Sequence, residues 1–430
     1  MNDVHYRMQL NPALTPGKGY IDIPVLGNFN LAASSNSLGS QDILDAFNGD
    51  RGDLTGDVLY DRLKDFNRMN LAFNTDIISV GWWKGKNFWS VSTGLRMDFG
   101  ANVPKSMFTL LRDVDNNDKY DDWANYKINI EDESLNFNAY TELGLGYARD
   151  LNERLTIGGK FKLLLGIGNL NMNINRIAVE TSGITGGISE WESWQNSGRA
   201  KLQVDATLES SLSGMELLKN SDGYINDFDY GKSGVAGYGG AVDFGLAFRA
   251  LDNLTLSAAV NDLGFISWSK SSSNIFSAET TREYTKDNYQ EFVDIVKGDE
   301  LLNYELFGFK HEEQTKSRTT TLYSSVTAGA EYALMNNKLA LGALFTTRML
   351  KPETQSEITI GASLRPKSWF NLAASYSVIQ SAGKSFGLAV KLGPLFAGTD
   401  YMYFGKNSEV INAFVGITIP LGKKASAATF

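Results

Sequence analysis

Apolar residues occupy every second position along much of this 430-residue chain, with glycine or polar residues between them. The pattern is clear between positions 238 and 250, where Tyr238 and Phe244 share one parity and Asp243 and Arg249 the other. A β-strand has a period of two, so such a strand has one apolar face and one polar face. The pattern therefore predicts a chain built from amphipathic strands.

Fourteen segments follow this alternation, and helical spacing is rare between them. They lie near positions 20–34, 69–83, 89–99, 135–147, 155–167, 238–250, 254–260, 323–332, 339–345, 358–364, 370–378, 386–392, 401–403 and 411–421. An even number of strands with one apolar and one polar face is typical of a transmembrane barrel, whose outer face meets lipid. The predicted fold is all-β: a transmembrane antiparallel β-barrel of about 14 strands, with long extracellular loops that carry short helices.

The lengths of the connections support this assignment. Every second connection is short: 81–87, 149–153, 250–253, 334–337, 365–368 and 393–397. The long segments all belong to the other set: 35–69, 101–133, 170–236 and 269–320. Outer-membrane barrels have short periplasmic turns and longer extracellular loops. We therefore expect a bacterial outer-membrane location with both termini in the periplasm.

The predicted organisation is one barrel, residues 20–421, between a periplasmic or lumenal segment, 1–19, and a C-terminal tail, 422–430. Strand-like alternation also occurs within 170–212, and we interpret it as a hairpin that extends the barrel above the membrane. If both of its strands spanned the membrane, the strand count would instead be 16.

Two segments in the long loops have helical rather than strand spacing. One contains Val58, Leu59, Leu63 and Phe66, and the other contains Phe292, Ile295 and Val296. Residues three and four apart lie on one face of a helix. We expect these helices to cap the barrel mouth, with a partner-binding surface as the alternative.

Composition narrows the function. The net charge is −9 and no basic run is present, which argues against a nucleic-acid partner. Cysteine is absent, so thiolate metal sites and cysteine nucleophiles are excluded, and only His5 and His311 are available as imidazole bases. A mean hydropathy of −0.21 suits a barrel, in which only alternate strand residues face lipid. We expect no enzymatic activity and no cofactor.

Charged residues on the inward parity are candidates for the lumen lining. They are Arg96, Asp98, Glu142, Lys160, Lys162, Asp243, Arg249, Arg348, Arg365 and Lys391. Ionised groups inside a barrel need water or partners, so one interpretation is a structural network between strands. The other is a binding lining, in which Arg or Lys holds a fatty-acid carboxylate while Leu164 and Leu344 contact the tail.

An acidic segment begins at Asp113. Asp113, Asp115, Asn117 and Asp121 place oxygen ligands at a spacing similar to that of a calcium loop. The sixth position is an aspartate instead of glycine, and the twelfth is Ala124 instead of glutamate. These departures favour a solvated acidic loop tip over a calcium site.

Two segments resemble known barrels. Residues 254–268, LTLSAAVNDLGFISW, and 9–30, QLNPALTPGKGYIDIPVLGNFN, resemble segments of an uncharacterised Bacteroidota-type outer-membrane β-barrel family. Asn11-Pro12-Ala13 resembles the start of barrels associated with type IX secretion. Those families are similar in turn to the 14-stranded long-chain fatty-acid transporter class.

The resemblance implies a barrel in outer-membrane lipid that binds or passes a small hydrophobic molecule. The alternative is a non-transporting subunit of an envelope complex for secretion, assembly or surface-lipoprotein handling. The transporter class closes its lumen with a long N-terminal hatch. Here only about 19 residues precede the first strand, so a full hatch of that type is not expected.

Overall fold

The computed structural model describes residues 4–23, 27–39, 42, 56–115, 123–214, 216–221, 225–229, 234–297, 308–312, 316–380, 385–399 and 410–422. Its strands are β1 (Gly19–Asp22), β2 (Asn28–Ser35), β3 (Phe66–Lys84), β4 (Asn87–Pro104), β5 (Lys127–Asp150), β6 (Leu155–Ser182), β7 (Arg199–Leu212), β8 (Glu216–Lys219), β9 (Ile225–Asp229), β10 (Gly237–Leu251), β11 (Leu254–Trp268), β12 (Ser273–Tyr284), β13 (Lys310–His311), β14 (Arg318–Thr321), β15 (Ser325–Leu334), β16 (Leu339–Arg348), β17 (Gln355–Lys367), β18 (Phe370–Gln380), β19 (Ser385–Leu392), β20 (Leu395–Thr399) and β21 (Val410–Leu421). The α-helices are α1 (Asp57–Arg62), α2 (Lys105–Asp115) and α3 (Tyr289–Lys297), and short 3₁₀ turns cover His5–Gln9, Trp123–Asn125, Trp191–Trp194 and Lys270–Ser272.

The sheet closes on itself. β1 and β2 both pair antiparallel with β21 on one side and β3 on the other, so together they form one wall strand. β14 and β15 likewise both pair with β11. The described part of the chain thus forms a wall of 14 strands, namely β1 with β2, β3 to β6, β10, β11, β14 with β15, and β16 to β21. The predicted 14-stranded antiparallel barrel is confirmed.

The outer face of the wall is apolar, as the alternation predicts. Phe161, Phe244 and Phe386 are each more than half exposed, whereas Asp243 and Ala247 on the opposite face of β10 are buried. An exposed apolar band around a closed sheet is the surface that lipid covers. Among the described residues, no helix has both the length and the apolar character needed to cross a membrane.

Two ends of the barrel can be distinguished by their connections. At one, called the turn end, adjacent strands are joined by short turns, and Gly19 of β1 pairs there with Leu421 of β21. At the other, called the loop end, the long connections emerge. Five of the six turns are tighter than predicted, and the largest changes are at 81–87 and 393–397, which shrink to 85–86 and 393–394. Gly85 and Gly393 adopt φ values of 65° and 60°, which glycine tolerates and which suit a two-residue hairpin turn.

Some predicted elements differ in detail. Phe66 begins β3 and does not belong to the helix predicted around Val58, because α1 ends at Arg62. The sequence predicts the last strand before β21 at Tyr401 and Tyr403, which lie outside the described residues. In the structure, β20 at Leu395–Thr399 is the strand that precedes β21. The C-terminal tail after position 422 is likewise outside them.

A cap rises above the wall at the loop end. The first half of β6 pairs with β10, but residues 168–182 pair with β7, which in turn pairs with β12. The 170–212 segment therefore adds no wall strand. Buried apolar side chains from these strands, α2, α3 and the 3₁₀ turn Trp191–Trp194 form one core, including Ile177, Trp194, Phe276 and Phe292.

Candidate functional site in the barrel lumen

The N-terminal segment lies inside the barrel, and we call residues 4–18 the plug. Asn11 anchors it, since its Nδ2 donates to the carbonyl oxygens of Leu246 and Ala258 at 3.0 and 3.1 Å. The carbonyl of Leu10 accepts hydrogen bonds from Asn261 Nδ2 and Thr327 Oγ1 at 2.9 and 3.0 Å. The plug thus contacts three strands of the wall.

Glycines in the wall make room for the plug. A Cβ atom on Gly158 would overlap the carbonyl of Pro12, and one on Gly245 would overlap Asn11 Oδ1. The same Oδ1 accepts a hydrogen bond from the backbone N–H of Ala13 at 2.8 Å, which is the local turn that Asn favours. The Asn11-Pro12-Ala13 motif therefore has a structural role in docking the plug.

One side of the lumen carries a network of buried ion pairs. Glu142 Oε1 lies 3.0 Å from both Arg96 Nη2 and Lys160 Nζ. The same Arg96 Nη2 lies 2.9 Å from Asp76 Oδ1. These side chains come from adjacent strands β3 to β6, so the network ties neighbouring strands together.

The network continues on β10 and β11. Lys162 Nζ lies 2.8 Å from Asp243 Oδ2 and 2.6 Å from Asp262 Oδ1. Strand parity predicts that Asp262 faces lipid, but a register shift opposite it and a φ of 59° turn it toward the lumen. Asp243 Oδ1 accepts a hydrogen bond from the Asp262 backbone N–H at 2.8 Å, which holds this irregular backbone in place.

The other predicted lumen residues lie outside this network. Arg348 Nη2 is 3.4 Å from Asp98 Oδ1 near the loop end, and Arg365 Nη2 is 3.0 Å from Glu331 Oε1 near the turn end. Lys391 Nζ reaches the carbonyl of Ser368 at 3.5 Å, and Arg249 bonds through its backbone N–H to the carbonyl of Arg154 at 2.7 Å. Of the ten predicted lumen residues, five belong to the ion-pair network and five lie outside it.

A cavity of about 640 Å³ fills the opposite side of the lumen. Its walls are the inward faces of β15 to β21 together with β2, β3, β4 and β11, and the plug contributes Tyr6, Leu10 and Leu14. The lining includes Leu344, Asp98 and Arg348. Leu164 does not line it, because it is fully buried against Ile266 and Trp268 on the network side.

The cavity runs along the barrel axis. Its lining includes Ala340, next to the turn end of β16, and Arg348 at the loop end of the same strand. Eight residue steps of about 3.3 Å give roughly 26 Å along the strand. A strand tilt of about 40° reduces this to roughly 20 Å along the axis, so the cavity extends over much of the thickness of a membrane.

The predicted calcium loop is partly helical. Asp113 and Asp115 lie in the last turn of α2, so the prediction of a loop at these two residues was wrong. Met107, Leu110 and Val114 of the same helix pack into the cap core. Asp113 Oδ2 accepts a hydrogen bond from Tyr126 Oη at 3.0 Å, and burial raises the pKa of Asp113. The Asp115 side chain, Asn117 and Asp121 lie outside the described part of the chain.

Sequence reasoning missed four lumen residues that the structure brings into contact with charged partners. They are His5, Asp22, Asp76 and Asp262. Asp76 shares the parity of Asn70 and Asn74, which line the cavity, but a register shift between Asp76 and Ile78 reverses the faces beyond it, so parity counted from the exposed Trp82 places Asp76 on the lipid side. His5 precedes the wall, and nothing in its local pattern indicates that it enters the lumen.

The fold and lumen define a transmembrane β-barrel with an N-terminal plug and an internal cavity. Residues 12–400 match the family model described as a family of unknown function (DUF5723), and the chain belongs to that family. No curated protein matches the sequence significantly.

Several solved barrels are similar in structure at low identity. The Ralstonia pickettii toluene transporter TbuX is 8% identical, with a TM-score of 0.47 over 97% of this chain and 93% of that one. The P. putida toluene transporter TodX is 10% identical, with a TM-score of 0.42 over 97% and 94%. A Pseudomonas aeruginosa FadL homologue is 10% identical, with a TM-score of 0.37 over 95% and 89%.

Proposed function

We propose that this protein is an outer-membrane barrel that binds a small hydrophobic molecule in its lumen and passes it across the membrane. The observation that carries the proposal is the cavity of about 640 Å³ along the barrel axis. Small-molecule sites commonly enclose about 300–1,000 Å³ and are lined mostly by apolar groups with a few polar ones.

The lining suits a molecule with an apolar body and a polar end. Small inward residues such as Gly342, Gly361 and Ala373 leave the space open, while Phe396 and Phe414 supply aromatic surface. Arg348 lies at the loop end, and its side chain is about one third exposed, at 37%. An arginine there suits a carboxylate or another anionic headgroup.

The direction of passage follows from barrel convention. Short turns face the periplasm and long loops face the outside in outer-membrane barrels. The loop end is then the entrance, and the plug stands between the cavity and the periplasm. Movement of the plug, or a path beside it, would complete the passage.

A matched pair of substitutions tests this function. Ala373→Leu enlarges an inward residue that lines the cavity, whereas Ala328→Leu makes the same change on an exposed, lipid-facing position of β15. We expect Ala373→Leu, alone or with Gly342→Leu, to weaken binding of a dansyl-labelled undecanoic acid and to slow its entry into proteoliposomes. Ala328→Leu should behave like the parent protein.

Equal binding and uptake by both variants and the parent would overturn the proposal, and so would the absence of any binding by the folded parent. Recovery of the parent from native membranes with a bound protein and no bound lipid would favour the envelope-complex alternative. Far-UV circular dichroism checks that each variant retains its sheet.

A further inference from the structure

Three buried side chains meet near the turn end, where the plug touches the wall. They are His5 of the plug, Asp22 of β1 and Asp76 of β3, and each is at most 4% exposed. One ligating atom from each lies within 4.8 Å of the other two. Imidazole nitrogen and carboxylate oxygen are the ligands that divalent transition metals share in proteins.

A hydrogen-bond chain fixes the tautomer of His5. Thr418 Oγ1 donates its single hydrogen to Asp22 Oδ1 at 2.9 Å. The contact of 3.2 Å between Thr418 Oγ1 and His5 Nδ1 therefore needs a hydrogen on Nδ1. In a neutral imidazole this leaves Nε2 as a bare lone pair, the form in which histidine binds a metal through Nε2.

That lone pair faces a carboxylate oxygen. His5 Nε2 lies 2.9 Å from Asp22 Oδ2, yet neither atom makes a hydrogen bond. Two acceptors this close repel each other, so either a second hydrogen on Nε2 pairs the imidazolium with Asp22 or a metal ion lies between or beside the two atoms. A metal at about 2.0–2.2 Å from each atom holds them about 2.9 Å apart when its two bonds meet at a right angle, as in octahedral coordination, and roughly 3.4 Å apart in tetrahedral coordination.

The surroundings supply further oxygen ligands. Asp76 is oriented by Gln9 Nε2, which donates to its Oδ2 at 2.7 Å, and by Arg96 at its Oδ1. Asn28 lies beside it and is wholly buried, with its Nδ2 3.5 Å from Asp76 Oδ2 and its Oδ1 without a hydrogen-bond partner. An unpartnered buried carbonyl oxygen is an available ligand.

The charge balance also favours a cation. Asp22, Asp76 and Glu142 are three carboxylates, and the two cations that contact them within this part of the network are Arg96 and Lys160. With His5 neutral, the group carries one net negative charge in a buried site, which either a proton on His5 or a bound metal ion would balance. Such a charge is costly unless a further cation compensates it.

We propose that His5, Asp22 and Asp76 bind one divalent transition-metal ion of the Zn²⁺ or Mn²⁺ type. The ion would join the plug, through His5, to two strands of the wall. It would therefore fix the N-terminal end of the plug independently of the contacts that Asn11 makes with β10 and β11.

Metal titration of the full chain in detergent micelles tests the proposal. After treatment with EDTA, the protein is titrated with Zn²⁺, Mn²⁺ and Co²⁺, and the stoichiometry is measured by calorimetry and elemental analysis. We expect one equivalent to bind. His5→Gln and Asp22→Asn should each weaken binding by more than the roughly 10–100-fold typical of losing an outer-shell partner. His311→Gln changes the only other histidine, in β13 of the cap, and should leave binding unchanged.

The visible absorption of bound Co²⁺ depends on its ligands. It would therefore stay unchanged in His5→Gln if His5 acted only in folding. Bound Co²⁺ should show visible bands that shift or vanish in His5→Gln while the circular dichroism of the barrel stays the same. Absence of stoichiometric binding by the parent, or equal binding by the parent and His5→Gln, would overturn the proposal. If His5→Gln fails to fold, Asp76→Asn replaces it. Unchanged metal affinity in Asp76→Asn would also overturn the proposal.

Discussion

Glu142 is the centre of the buried ion network, and replacing it tests whether the network is structural. Its side chain is 2% exposed, and its Oε1 contacts both Arg96 and Lys160 at 3.0 Å. Glu142→Gln keeps the shape but removes the charge that both cations share. Removing one partner from a buried pair typically costs about 3–5 kcal/mol, because the other charge remains buried. Arg96 still has Asp76 as its ion-pair partner in this variant. We therefore expect the free energy of unfolding to fall by about 3 kcal/mol, the lower end of this range.

The second substitution completes a thermodynamic cycle. Lys160→Met removes the more accessible cation, which is 18% exposed, and leaves Glu142 paired with Arg96. A lost hydrogen bond to a charged group costs about 1.5–3 kcal/mol. In the double variant no lysine charge is left unpaired. Its loss of stability should therefore be about 1–3 kcal/mol smaller than the sum of the two single losses, a coupling within the range measured for residues in contact.

Urea unfolding in detergent micelles, followed by tryptophan fluorescence, measures these differences. Lys391→Met is the control, because Lys391 lies near the turn end away from this network and should change stability by no more than about 0.5 kcal/mol. Additivity of the two single changes, or a Glu142→Gln loss no larger than the control, would refute the structural reasoning. Loss of ligand binding without loss of stability would assign these residues to a binding lining instead.

Two further predictions concern the plug and the cap. Asn11→Ala removes two side-chain hydrogen bonds to wall carbonyls, so plug anchoring should weaken by about 2–3 kcal/mol. Hydrogen exchange should then accelerate in residues 5–15 and stay constant in β16 to β18, and unchanged exchange in the plug would contradict the assignment. Glu133 lies on β5 beyond the last residue paired with β4, and burial raises its pKa to about 8. Because the folded state binds this proton more tightly than the unfolded chain, stability falls as pH rises from about 4.5 to 8. Glu133→Gln should thus stabilise the protein by about 3 kcal/mol at pH 7 and hardly at all at pH 4 in urea unfolding. An equal gain at both pH values would show that charge is not the cause.

Strand parity predicts which residues face lipid and which face the lumen wherever a strand is regular. On β10, Phe244 is exposed and Asp243 buried, as the alternation requires. Parity fails at Asp262, because a bulge inserts an extra residue and reverses the faces beyond it. A bulge depends on pairing with the neighbouring strand, which a single sequence does not display.

Contacts between distant segments were also beyond sequence reasoning. The plug position depends on inward glycines at 158 and 245, whose role appears only when Pro12 and Asn11 lie against them. Helix α2 was missed for a different reason. Met107, Leu110 and Val114 have helical spacing, but the run of acidic residues from Asp113 onward is typical of a loop.

The size of the inward residues, more than their polarity, determines which side of the lumen is open. On β4 to β6 the inward positions include Arg96, Glu142 and Lys160, which pair with one another and occupy this side of the lumen. On β16 and β17, Gly342 and Gly361 pair directly, and the cavity lies against them. Two facing glycines weaken a sheet, because each loses more backbone entropy on folding than other residues and has no side chain to pack. Their pairing here is therefore better explained by the space they leave than by any gain in stability, and that space is where we place the ligand.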